Sequence, residues 1–72
     1  MQRTLNVEVV RALREAQGIS LRRMALDIHR TAGHLSRVER GEHNASVATM
    51  AAIATRLGVS LDAISYTTDV AA

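Results

Sequence analysis

Apolar residues recur at three- and four-residue steps through most of the chain, and residues that start and stop helices stand in the gaps between these runs. Val7, Val10, Leu13 and Ala16 predict a first helix from Asn6 or Val7 to Gln17, with Asn6 as its cap and Gly18 as the left-handed residue that ends it. Leu21, Met24, Ala25 and Ile28 repeat the pattern behind Ser20, which predicts a second helix over Leu21 to Ile28. After a turn at His29-Arg30, Thr31 caps a third helix over Ala32 to Arg40, with Leu35 and Val38 facing inward and Gly41 as its stop. Glu42 to Ala45 reads as a polar loop. Ser46 then caps a fourth helix, Val47 to Leu57, whose buried stripe is Met50, Ile53, Ala54 and Leu57 and whose stop is Gly58. Ser60 caps a short fifth helix, Leu61 to about Ser65, and residues 66–72 form a weakly patterned tail that frays unless a partner orders it.

Composition narrows the picture to one small all-α domain. Seventy-two residues make one domain, marginal in size for a core, and residues 1–72 leave no room for a linker, a repeat or a second unit. There is no Cys, Phe, Trp or Pro and a single Tyr, so the core must be packed from Leu, Ile, Val, Met and Ala, which suits closely packed helices better than sheets. The expected architecture is a compact five-helix domain. No apolar run approaches the roughly 18 residues that span a bilayer, and the N-terminus is too polar for a signal peptide. A cytoplasmic location, and no membrane partner, are the expectation.

The net charge of +2 says little, but its distribution says more. Residues 1–40 hold eight Arg against Glu8, Glu15, Asp27 and Glu39, a local +4, whereas residues 41–72 hold Arg56 against Glu42, Asp62 and Asp69, a local −2. The basic half contains the two-helix stretch, about 20–40. Every cation is Arg, whose forked donors suit phosphate and guanine, although codon bias in a GC-rich genome explains the same choice. The later helix of that pair, the third in the chain, is short and exposed with small residues at its start and arginines around it, and so is suited to enter the major groove of DNA.

Further motifs sharpen this reading. Leu13-Arg14, the Gly18-Ile19-Ser20 break, the Met24-Ala25 pair, the run Ser36-Arg37-Val38-Glu39-Arg40-Gly41 and the ending Leu57-Gly58-Val59-Ser60-Leu61-Asp62 together resemble the helix-turn-helix domain of the phage lambda repressor and Cro superfamily, over about Val10 to Ile64. The resemblance implies a pair between Arg14 and Glu39 that ties the first helix to the end of the third. It implies base contacts from Thr31, Ala32, Gly33 and Arg37. It implies sugar-phosphate contacts from His34 and Arg40, to which Ser20, Arg22, Arg23, Arg30 and Asn44 are added as backbone contacts. Leu21 stands where the family often has Gln, His29 where it often has Gly, and the proline often found near Ala45 is missing. Ala32 and Gly33 carry no polar side chain, so hydrogen-bond readout rests mainly on Arg37, Thr31 and His34, while Ala32 is placed to touch a thymine methyl.

Competing chemistry is weak. His29, His34 and His43 lie close in sequence, but their places in the turn and at opposite ends of the third helix argue against three ligands converging on a metal. Ser20, Ser46 and Ser60 are accounted for as caps, and neither a catalytic triad spacing nor a glycine-rich phosphate loop is present. The expectation is a non-enzymatic, sequence-specific DNA-binding regulator, a repressor, with double-stranded DNA as partner and with no cofactor, metal or small-molecule substrate. Because one module this small buries limited surface, a homodimer is expected, joined through Leu61, Ile64, Tyr66 and Val70. The rival is a protein-interaction module, an antitoxin-like or adaptor domain, encouraged by Leu21, Ala32 and Gly33 on the DNA face.

Overall fold

The computed structural model describes residues 2–68, in the order β1 (Gln2–Leu5), α1 (Val7–Ala16), α2 (Leu21–Asp27), α3 (Ala32–Glu39), α4 (Val47–Leu57), a 3-10 turn (Leu61–Ala63) and β2 (Ser65–Thr68). Each of the five predicted caps closes its first turn: Asn6, Ser20, Thr31, Ser46 and Ser60 accept the backbone N–H three residues on, from Val9, Arg23, His34, Thr49 and Ala63. An orphan donor at each start is thereby satisfied, which fixes where each element begins.

The helix ends share one device. At α1 the N–H of Gly18 reaches Glu15 O and that of Ile19 reaches Arg14 O, and the same double bond pattern closes α2, α3 and α4. This motif needs a left-handed residue, supplied by Gly18, Gly41 and Gly58, but at the end of α2 by His29 with φ 60°. Arg30 helps hold that strained turn: its Nη1 donates to the carbonyls of Ile28 and His29, both at 3.2 Å, and its Nε to Thr49 Oγ1 at 3.2 Å. The turn between α2 and α3 is therefore pinned to the start of α4.

The all-α expectation of five helices needs correction. Four α-helices are present among the described residues. The segment expected as a fifth helix is a single 3-10 turn, and Ser65 already belongs to β2. Residues 66–68, expected to fray, pair antiparallel with the N-terminal segment in the register Gln2↔Thr68, Arg3↔Thr67, Thr4↔Tyr66 and Leu5↔Ser65. The reason is backbone competition: Asn6 N–H donates to Ile64 O at 2.8 Å, and the chain beyond finds a ladder partner in β1 instead of its own next turn.

The core is built from Val10, Met24, Leu35, Val38, Met50, Ile53 and Ile64, each buried. Ala45, read as part of a polar loop, is buried among them, and Ala16, read as part of the first stripe, is exposed. The expected dimer surface changes too. Ile64 is 0% exposed and belongs to the core of its own chain, so it offers nothing to a second copy; Leu61 packs partly against the same cluster, Tyr66 is 51% exposed, and Val70 lies outside the described residues. No helix among the described residues is long and apolar enough to cross a membrane.

Candidate nucleic-acid interface

Helix α3 is anchored by one face and free on the other. Leu35, Val38 and Glu39 are buried, and the opposite face carries Gly33, Arg37 and Arg40 at the i, i+4, i+7 spacing of a single stripe. The anchor at its end is electrostatic. Glu39, 5% exposed, accepts Arg14 Nε on Oε2 at 2.7 Å and Arg14 Nη2 on Oε1 at 3.0 Å, a forked pair. Arg14 also donates through Nη1 to Ile19 O at 2.7 Å, and the hydrogen bond to Glu39, ahead of the charge attraction, raises its pKa above the ordinary arginine value. Arg11 completes the clamp, its Nη2 donating to Glu39 O at 2.7 Å with Nε 3.7 Å from Oε1. Sequence reasoning alone misses Arg11; its signal is the three-residue step to Arg14, which puts both on one face of α1.

The sequence-derived site residues fall into distinct surroundings. Thr31 is exposed and its hydroxyl accepts the His34 N–H as the α3 cap; Ala32 is partly buried, and Gly33 and Arg37 are exposed. Ser20 caps α2. Arg22 and Arg37 form no ion pair among the described residues, whereas Arg23 lies 3.1 Å from Asp27 and Arg40 lies 2.9 Å from Glu42, each still more than half exposed. Arg30 commits Nη1 to the turn described above and Nε to Thr49 of α4. Arg22, Arg23 and Arg30, with Ala25, Leu26 and Ala32, line a depression of ≈ 440 Å³ between α2 and the start of α3. At the other end, Asn44 donates weakly to Arg3 O at 3.4 Å, tying the loop after α3 to β1. The rings of His34 and His43, assigned to opposite ends of α3, approach to 6.4 Å, and among the described residues they gather no third ligand.

A second polar junction fixes α2. Asp27 accepts Arg56 Nε of α4 at 2.6 Å and faces Arg23 on its own helix. The hydrogen bond from Arg56 holds the Asp27 carboxyl below the usual carboxylate range, aided by the two positive charges and opposed by desolvation. A carboxyl made more acidic by folding contributes stability above its unfolded pKa and loses it as pH falls through the lower, folded value. Asp27→Asn is therefore expected to be less stable than the parent at neutral pH, with the gap closing on acidification. Denaturation measured over a series of pH values checks this; a gap that stays constant into strong acid would refute it.

A helix-turn-helix family model matches residues 10–64, from within α1 to just past the 3-10 turn. Among solved structures the chain is similar to the clp gene regulator ClgR from Corynebacterium glutamicum, with a TM-score of 0.75 and 30% identity over 78% of this chain and 60% of that one. It thus spans less than two thirds of that regulator's length. It is also similar to the restriction-modification controller protein C.AhdI from Aeromonas hydrophila, with a TM-score of 0.76 and 28% identity over 79% of this chain and 86% of that one. No curated protein matches it. With α2 and α3 joined by the pinned His29 turn, and with more than half of its length inside the family model, the chain belongs to the helix-turn-helix family of lambda repressor and Cro type, a family of DNA-binding transcriptional regulators.

Proposed function

We propose that this protein represses transcription by binding a specific DNA site as a homodimer, with α3 in the major groove of each half-site. One observation carries the reading: the exposed stripe of α3 ends in Arg37 and Arg40, and the rim beside its start is set with Arg22, Arg23 and Arg30, while the far side of the helix is locked by Glu39. A rigidly held helix with cations on its free face is what groove entry requires. Thr31, Ala32, Gly33 and Arg37 face the bases in this arrangement, with Arg37 placed for the forked contact to guanine O6 and N7. Ser20, Arg22, Arg23, Arg30, His34, Arg40 and Asn44 border the sugar-phosphate backbone. Arg22 is the stronger phosphate ligand of its pair, because Arg23 shares its charge with Asp27. Arg30 serves the turn first.

A single module buries too little surface for tight specific binding, and two copies on a two-fold site double it. Tyr66 and the partly covered Leu61 remain as apolar contributions to such a dimer. Blocking polymerase is the simplest consequence of occupying the site, and the cell interior is the compartment where that site exists.

Selection of sites from a random DNA pool tests the reading. A palindrome with half-sites about one helical turn apart is the expected result. On that site Arg37→Ala should relax preference at one base pair by roughly 1–3 kcal/mol. Arg22→Ala should instead weaken all sequences alike and lower the salt slope by about 1. No enrichment by folded protein, or binding indifferent to salt, would replace this reading with a protein-interaction module using the same fold.

A further inference from the structure

In the first turn of α3, on its outward face, stands a glycine that the fold does not need. Of the four glycines, Gly18, Gly41 and Gly58 have positive φ and end helices, but Gly33 does not. A Cβ added at Gly33 would meet nothing within 4 Å, so no neighbour forbids a side chain. Glycine in a helix is less favourable than alanine because its unfolded chain has more freedom to lose. In a helix of eight residues that penalty falls on the element that would read DNA.

We infer that Gly33 is kept bare for a group on bound DNA, and that this group is the C5-methyl of a thymine beside the base pair read by Arg37. The inference rests on the reading of α3 as the groove helix. Helical side chains lean toward the N-terminus, so the Arg37 side chain passes over the turn that contains Gly33. Without a side chain at 33, both the arginine and the edge of a base pair come closer to the helix. Position 33 itself offers no polar side chain, the adjacent Ala32 adds only a methyl, and the Thr31 oxygen accepts the His34 N–H while its O–H stays able to donate. A bare, open position four residues before a forked cation on one helix face matches a thymine methyl next to a guanine, a pattern that only the major groove displays.

The test takes the wild-type selected site and compares wild type with Gly33→Ala on it, replacing each thymine in turn by deoxyuridine, alongside thermal melts of both proteins. Gly33→Ala should raise the melting midpoint by about 2–4 °C, part of the glycine-to-alanine gain expected for a helix interior. It should bind the selected site about tenfold more weakly, the equivalent of one base-edge contact. Deoxyuridine at one thymine beside the guanine should weaken wild type about fourfold, the worth of one buried methyl, and weaken Gly33→Ala far less. Equal affinity of the two proteins would overturn the inference. Weaker binding by Gly33→Ala with no thymine sensitive to its methyl would overturn the assignment of the occupant and give the space to sugar and phosphate. Failure of wild type to select any site would instead remove the DNA reading on which the inference stands.

Discussion

Arg14→Ala is expected to lose about 3 kcal/mol of folding stability, because it leaves a buried carboxylate without its main partner. For a domain of this size, with total stability of roughly 7 kcal/mol, that is a large fraction. Glu39 is 5% exposed and takes both of its strong hydrogen bonds from Arg14. Arg11 does not substitute, since its charge contact is long, at 3.7 Å, and its side chain is 49% exposed. The same change also frees the Ile19 carbonyl in the connection between α1 and α2. Arg14 stays charged throughout the accessible range: with its pKa raised, its contribution is present below the unfolded value and fades only as pH rises through the still higher folded one. Replacing both partners by methionine should recover most of the loss, because a well-packed apolar pair needs no charge compensation. Chemical denaturation of Arg14→Ala and of the double variant, Arg14→Met with Glu39→Met, measures both. A loss under about 1 kcal/mol for Arg14→Ala would mean a solvated pair and would refute the clamp.

Ile64→Ala is expected to cost about 2–5 kcal/mol, the range for truncating a fully buried aliphatic side chain that leaves a cavity. Ile64 is 0% exposed and lies where the 3-10 turn passes into β2, with its carbonyl accepting the Asn6 N–H. The loss therefore falls on the core and on the junction of the two chain ends together. Because the residue is internal, the loss should be the same at every protein concentration. A destabilisation that vanishes on dilution would return Ile64 to a dimer surface, since stability gained by association depends on concentration. Tyr66→Ala serves as the contrast: at 51% exposure it removes little from the single chain.

The site was legible in parts. The helix that carries it, its cap Thr31 and its stop Gly41 all follow from local spacing, and so does the exposure of Gly33 and Arg37 opposite Leu35 and Val38. The state of each arginine was not legible. Arg22 and Arg23 are neighbours of one type, yet only Arg23 meets Asp27, and that carboxylate is itself held by Arg56 from 29 residues away. Arg30 looks like one more surface cation in the sequence; its commitment to the His29 turn depends on where Thr49 lies at the start of α4.

Local chemistry alone determined the four helices. Each is started by a side chain that bonds a backbone N–H three residues away and stopped by a left-handed residue, interactions that need no distant partner. Tertiary structure decided the rest. Gln2–Leu5 and Ser65–Thr68 are too short to declare themselves as strands, and neither has a ladder until the other end of the chain is brought beside it. Ile64 reads as a surface residue by its place near the C-terminus and becomes core once α4 and the paired ends close over it. A strand, a core position so near the end and the partner of a charge are properties of pairs of distant residues, and only the folded chain brings those pairs together.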